Sequence, residues 1–286
     1  MLKQRIITVL WLLPIVLGGI FLVPVQYFSW ALVGVFMIAA KEWGKLINKD
    51  CNITQWTFTA TIALLLIALN LVVPSDAYWF KGQLHPMIYA IITMGVLWWL
   101  VSSALVFSFP KSASFWQDSP MFKSMFGQLT LIPCFTSLIA LKSVNSNVDP
   151  YFGASLVFLV MLVVWATDTG AYFAGKSFGK HKLMPNVSPK KTIEGLLGGL
   201  LVTMLVVAGV MHFSPEQELG LVITVTLITA IASAFGDLSE SMFKRIAQIK
   251  DSGTILPGHG GVLDRIDSLT AALPVFTFIY VAFWMS

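Results

Sequence analysis

Asp237, Glu240, Ser241 and Lys244 stand at i, i+3, i+4 and i+7, so a helix through them carries all four side chains on one face. Asp264 and Asp267 repeat the i, i+3 spacing further on. With Arg245, Lys250, Asp251 and Arg265 they belong to a segment that reads FGDLSESMFKRIAQIKDSGTILPGHGGVLDRID, residues 235–267. Between the two acidic pairs lies Pro257-Gly258-His259-Gly260-Gly261, a tight turn with little side-chain bulk. Such a turn can draw two helix ends together and offer backbone N–H groups to an anion. Carboxylates interleaved with lysine and arginine suit magnesium and phosphate, because Mg²⁺ takes one or two carboxylates and keeps positions for phosphate oxygens. Zinc would call for cysteine or clustered histidine, and the chain has 2 Cys and 4 His, well scattered. The plainer reading of the same charges is an interhelical salt-bridge network.

A second segment, residues 165–195, reads WATDTGAYFAGKSFGKHKLMPNVSPKKTIEG. It opens with Asp168 at the end of an apolar run. A carboxylate at the centre of a membrane span costs roughly 2.5–3.5 kcal/mol on insertion scales, so it should face a cavity or a partner. Gly170, Gly175 and Gly179 permit close helix approach. Ser188-Pro189 has the form of a helix N-cap followed by proline at the first helical position. Lys190 and Lys191 would then fall in the first turn, where cations oppose the helix dipole unless a bound phosphate reverses the penalty. The alternative is a pair of topological lysines beside lipid headgroups.

The elements that must position these residues are set by composition. Hydrophobic residues make up 57% of the 286 and charged residues 11%, against about 25% charged in a soluble domain. So few charges cannot cover a water-soluble surface. Uncharged windows run over residues 6–23, 27–40, 52–75, 82–110, 124–141, 150–167, 195–215, 219–236 and 268–286. A span needs about 17–25 residues, which all but the second window meet; there Lys41 and Lys45 can snorkel. Long continuous apolar runs select helices over barrel strands. The expected fold is therefore an all-α polytopic membrane protein of about nine transmembrane helices, with the N-terminal run retained as the first span. The expected parts are residues 1–150, about five spans, and residues 151–286, which carry both polar segments. Cys51 and Cys134 read as apolar packing, not as a disulfide or a metal pair.

Numbering the connections between nine spans puts Lys81 and Lys142 on one side and every other basic residue of the 18 on the side of the N-terminus. That asymmetry places the N-terminus and both polar segments in the cytoplasm. The net charge of +4 is thus topological and catalytic in origin, and not the footprint of a nucleic-acid-binding domain.

From Ser241 to Asp267 the string S-M-F-K-R-x-x-x-x-K-D-S-G-x-x-L-P-G-H-G-G-V-L-D-R-I-D resembles the defining motif of the phosphatidate cytidylyltransferase family, bacterial type. The stretch D-T-G-A-Y-x-x-G-K-x-F-G-K-H-K-L-x-P-x-V-S-P-K-K-T, from Asp168 to Thr192, is similar to its second characteristic stretch. The first 150 residues resemble the family mainly in hydropathy. The resemblance implies transfer of the cytidylyl group of CTP to phosphatidic acid, giving CDP-diacylglycerol and pyrophosphate. It also implies Mg²⁺, room for a second cation such as K⁺, contact with membrane lipids, a homodimer, and a bacterial cytoplasmic (inner) membrane setting. Asp237 and Asp264 match the family's metal-binding carboxylates, with Asp267 and Asp168 as further metal-linked candidates. Lys190, Lys191, Lys244, Arg245, Lys250, His259 and Arg265 match its polar positions. On this reading Lys244 and Arg265 stabilise transition-state charge, and Lys190 and Lys191 hold the triphosphate or the lipid phosphate. Ser241, Arg245, Lys250, Asp251, His259, Gly260 and Gly261 contribute to substrate binding. Two other classes stay open on the residues alone: a transporter of a phosphorylated solute, and an alcohol phosphatidyltransferase, whose D-G-x-x-A-R pattern is absent.

Overall fold

The structure, a computed structural model, describes residues 2–146, 148–213, 218–258 and 260–284. The elements in chain order are α1 (Leu2–Leu22), α2 (Val25–Ile47), α3 (Asn52–Val72), β1 (Trp79–Phe80), β2 (Gln83–Leu84), α4 (Pro86–Phe107), α5 (Pro120–Lys142), α6 (Pro150–Phe178), β3 (Lys182–Met184), β4 (Ser188–Thr192), α7 (Ile193–Phe213), α8 (Leu219–Ala247) and α9 (Leu263–Trp284). The strands form two small antiparallel hairpins, β1–β2 and β3–β4. Everything else of size is helix, as the composition requires. Seven helices, α3 to α9, are long and apolar enough to cross a membrane among the described residues, and α1 has a shorter apolar stretch, Ile7–Leu22.

Three helix starts follow directly from sequence. Pro86, Pro120 and Pro150 each open a helix, where a missing N–H is harmless, behind His85, Ser119 and Asp149, whose side chains accept a backbone N–H of the first turn. Ser188-Pro189 has the same form but does not start α7. Those residues lie in β4, paired with β3 in the register Met184↔Ser188 and Lys182↔Thr192. The helix begins after Thr192, whose Oγ1 accepts the N–H of Gly195 at 3.1 Å. This later start keeps Lys190 and Lys191 out of the positive end of α7 and puts Glu194 there instead, which the helix dipole favours. Glu194 in turn accepts the N–H groups of Lys180 and His181 and pairs with the His181 ring at 2.6 Å, closing the hairpin onto the helix.

The bundle has two distinct ends. At one, Thr8 of α1 donates to the carbonyl of Pro257 at 2.9 Å, and Lys123 of α5 to that of Ile47 at 2.6 Å. At the other, Trp79 donates to the carbonyl of Ala140 at 2.8 Å, and the buried Lys142 to that of Ile20. Lys142 is thus the last residue of α5 capping α1, not a loop cation. One apolar core runs through both parts of the chain, from Ile20 to Tyr280. The outside is apolar too: Leu64, Leu100 and Leu205 are all exposed, as expected of helices facing lipid. The helices α6 and α8, 29 residues each, are about 43 Å long and overrun a hydrocarbon core of about 30 Å. The overrun lies at the end that carries both polar segments.

The helices α6 and α7 meet through small residues. A Cβ on Gly198 would fall 2.1 Å from Cβ of Ala174, and one on Gly170 would fall 2.7 Å from the carbonyl oxygen of Gly198. Thr167 and Thr203 bridge the same pair of helices, Oγ1 to Oγ1, at 2.8 Å. The approach is of the small-xxx-small type that packs helices where no hydrophobic drive exists. Gly198→Ala should lower the thermal stability of the detergent-solubilised protein by about 1–3 kcal/mol, the range for overpacking. Adding Ala174→Gly should restore most of it, and Gly209→Ala, with open space around it, should change little beyond helix propensity. Melting curves of the four proteins check this; an undisturbed Gly198→Ala melt contradicts the packing.

Candidate functional site

The polar face of α8 forms as its spacing requires. Ser241 donates to Oδ1 of Asp237 at 3.3 Å, and Lys244 Nζ lies 3.0 Å from Oε2 of Glu240. Lys244 also reaches Oδ1 of Asp264 on α9 at 2.9 Å, so one ammonium joins the two helices. On the other flank Lys191 of β4 pairs with Oδ2 of Asp237 at 2.7 Å. The β3–β4 hairpin is braced by Arg245, whose Nε donates to the carbonyl of Val187 at 3.0 Å. Lys191 of β4 and Asp264 of α9 are both tied in this way to the charged face of α8.

Between α6, α7, α8 and the hairpin lies a cavity of about 420 Å³. Asp168, Asp237, Lys176, Lys190 and Lys191 give it a charged wall, and Ala171, Tyr172, Leu183, Leu196 and Ala234 an apolar one. It is open on one side and amphipathic in the sense a lipid phosphate needs. The glycine contact between α6 and α7 sets the distance between the wall bearing Asp168 and the wall bearing Lys191.

Asp264 stands apart from this cavity. Its Oδ1 accepts from Lys244 and from the N–H of Ser252 at 3.2 Å; its Oδ2 accepts from the N–H groups of Ser252 at 3.0 Å and Gly261 at 2.8 Å. Those bonds occupy nearly all the lone pairs of a carboxylate. The turn before α9 is held accordingly. Gly258 and Gly260 take φ of +75° and +83°, and Leu256 N donates to the carbonyl of Gly260 at 3.0 Å. A Cβ on Gly260 would fall 2.7 Å from Oδ2 of Asp264. Gly260 is thus required both by its positive φ and by close approach to a carboxylate, and the N–H of Gly261, a candidate for an anion, is donated to Asp264.

Of the residues singled out by sequence, Asp168, Asp237, Lys190 and Lys191 share the cavity. Ser241 and Lys244 stand directly behind it through Asp237, Glu240 and Asp264. Asp267 is half-buried on α9, one turn beyond Asp264, and Arg265 is exposed beside it. Lys250 and Asp251 are exposed in the loop. His259 lies outside the described residues. Glu42 of α2 was not legible as a site residue. It is 2% exposed and accepts from the N–H of Leu263 at 2.8 Å and from Ser252 Oγ at 3.3 Å. Its only local signal is that it is the sole acid among residues 1–47, set in a basic turn.

No group of three or more His, Cys, Asp or Glu side chains able to hold a metal occurs among the described residues. A two-carboxylate magnesium site does fit the cavity wall, where Asp168 and Asp237 face one space with room for phosphate oxygens. Asp264 would have to release Lys244 to join it.

The cytidylyltransferase family profile matches residues 3–283. The chain is similar to the phosphatidate cytidylyltransferase of Haemophilus influenzae, 39% identical over 98% of this chain and 99% of that one. It is similar to that of Pseudomonas aeruginosa, 40% identical over 99% of each. With the enzyme of that name from Bacillus subtilis it is 41% identical over 152 residues, 52% of this chain and 54% of that one. A match across nearly the whole chain, with the cavity built from the two segments first singled out, places this protein in the cytidylyltransferase family.

Proposed function

We propose that this chain is a phosphatidate cytidylyltransferase, which transfers the cytidylyl group of CTP to phosphatidic acid and yields CDP-diacylglycerol and pyrophosphate. The observation that carries the reading is the amphipathic cavity at the overrun end of the bundle, lined by Asp168, Asp237, Lys176, Lys190 and Lys191 against apolar residues of α6, α7 and α8. Acyl chains remain in the bilayer while the headgroup reaches charged residues at the edge of the hydrocarbon. The protein acts in the bacterial inner membrane with this end in the cytoplasm, where CTP is found; the basic bias of that end supports the orientation. The family resemblance supports a homodimer and a second cation such as K⁺.

The nucleophile is an oxygen of the phosphatidate phosphate, already ionised near neutral pH, so no strong protein base is needed. That oxygen bonds to the α-phosphorus of CTP, the bond from the α-phosphorus to the bridging oxygen of the β-phosphate breaks, and pyrophosphate leaves with the electron pair. The difficulty is bringing two polyanions together, and catalysis is positioning and charge stabilisation. Lys190 and Lys191 hold phosphate at the cavity mouth. Lys191 neutralises Asp237 until a phosphate takes its place as partner. Lys244 holds the α8 face against α9 and adds positive potential behind the reacting centre, with Arg265 at the rim. Asp237 with Asp168, or with Asp264 were it free of Lys244, would hold Mg²⁺, which when bound would supply charge neutralisation and assistance to the leaving group.

With CTP labelled separately at the α and γ positions, purified protein, phosphatidate and magnesium should carry the α label into lipid while the γ label leaves as pyrophosphate. Transfer of the γ label to lipid would overturn the assignment in favour of a kinase, and no lipid-dependent turnover by folded protein would favour a transporter.

Asp237→Asn should leave melting behaviour near that of the wild type and reduce kcat on the order of 10²-fold. Asp264→Asn should do both kinds of damage, because its amide places a donor against the N–H groups of Ser252 and Gly261. Kinetics together with proteolysis of the 248–262 loop separate the two; equal proteolysis in both variants would contradict the division.

Lys190→Ala should act mainly as a binding change, raising KM for CTP or for phosphatidate about tenfold. Lys191→Ala should raise KM and also lower kcat, since it strips Asp237 of its partner. Initial rates over a grid of both substrates identify which phosphate each lysine meets, and unchanged KM for both substrates in both variants would reduce the pair to a topological signal.

A further inference from the structure

We propose that Glu42, on α2 in the N-terminal part of the chain, is a positioning residue for the reaction: it fixes Asp264, and through it Lys244, by clamping the loop that precedes α9. The proposal rests on the functional reading above. The clamp is made at Ser252. Its N–H is donated to both oxygens of Asp264, its Oγ to Oε2 of Glu42 at 3.3 Å, and its carbonyl accepts Lys45 Nζ at 3.1 Å. Glu42 Oε2 also takes the N–H of Leu263, the first residue of α9, at 2.8 Å. The first N–H groups of a helix have no partner within it, so Glu42 caps α9 from a helix some 221 residues away in sequence.

The loop backbone is pressed onto this carboxylate. A Cβ on Gly253 would fall 1.9 Å from Glu42 Oε1, and one on Gly261 would fall 2.5 Å from Oε2. The neighbouring Trp43 packs its ring 5.1 Å from that of Phe243, beside Lys244, and donates to the carbonyl of Lys123 at 3.0 Å. The end of α2 therefore touches α8, the loop and α9 at one place. Glu42 Oε1 is buried with no partner among the described residues. A buried carboxylate half-used in this way is a poor stabiliser compared with apolar packing. What it supplies is a fixed direction for two N–H groups, and so for the carboxylate of Asp264 that shares Ser252 with it.

Glu42→Gln separates the geometry from the charge. The amide can keep its oxygen at the Oε2 position and place its NH₂ where Oε1 has no partner, whereas Glu42→Ala removes the acceptor. In full-length detergent-solubilised protein, Glu42→Ala should lower kcat on the order of 10²-fold, as expected for misplacement by about 1 Å. KM for CTP should stay within about twofold of wild type, and Glu42→Gln should recover most of the kcat. Amide hydrogen exchange, which needs no substrate, supplies the second readout: Glu42→Ala should speed exchange in peptides covering 249–266 and leave those of α3, α6 and α7 unchanged. Wild-type exchange in 249–266 for Glu42→Ala would overturn the clamp. Faster exchange throughout the bundle, or equal kcat loss in the glutamine and alanine variants, would overturn a positioning role carried by these hydrogen bonds. Lack of cytidylyl transfer by the wild type would instead count against the functional reading, and the exchange comparison would still test the clamp.

Discussion

Lys244 serves two carboxylates at once, Glu240 on its own helix and Asp264 on the next, and is mostly shielded from water. A charge in such a place is tolerated only when its partners and their remaining hydrogen bonds are in order; removing one partner of a buried pair typically costs about 3–5 kcal/mol. The neighbourhood reads as a chain of such requirements. Asp264 needs Lys244 and three N–H bonds to two loop residues, those loop residues need glycines to come close enough, and the loop needs Glu42 to hold its far side. The polar end of the bundle is therefore held by buried charges that share partners across α2, α8, α9 and the loop between the last two. Aromatic packing around Phe243, in contact with Trp43, Trp116 and Phe126, holds the α8 backbone beneath that network.

The more exposed pair, Lys191 with Asp237, differs in kind. Its side chains are 27% and 29% exposed, so water screens it and the pair is worth little as a stabiliser. A weak, accessible ion pair of this kind opens more readily than the buried pair behind it. The strong pair behind it joins α8 to α9. The charged end thus divides into an inner ion-pair network shielded from water and an outer pair open to it.

Local spacing made part of this legible. The i, i+3, i+4, i+7 face of α8 and the glycine pattern of α6 follow from helical geometry alone, and both stand in the structure. The apolar windows located the helices because lipid-facing helices must be apolar all round. Ser188-Pro189 misled because a local cap signal competes with a better one four residues later, at Thr192, and helix-dipole electrostatics decide between them. The Gly260-Gly261 turn is tight enough to offer N–H groups to an anion, and in the structure the N–H of Gly261 goes to Asp264. Glu42 was invisible for a different reason. Its partners are Ser252 and Leu263, separations of 210 and 221 residues, and nothing in the residues around Glu42 encodes which loop will come to rest on it.

The position of the network follows from helix length. A bundle cut at the hydrocarbon boundary would leave Asp168 and Asp237 as isolated charges at helix ends, in water and without fixed neighbours. Extending α6 and α8 by two or three turns leaves these residues about 27 Å from the helix starts, at the edge of the apolar layer, with helix continuing beyond them. The close α6–α7 contact then delivers β4, with Lys190 and Lys191, to the same height, since the hairpin is tied to the start of α7 by Glu194 and to α8 by Arg245. The last turns of α2 reach the loop before α9, so that the N-terminal part meets the polar end through Glu42, Trp43 and Lys45. The charged end is thus a product of where helices stop: apolar sequence fixes their course through the membrane, and the residues at its edge, too charged to lie deep in lipid, are paired with one another there.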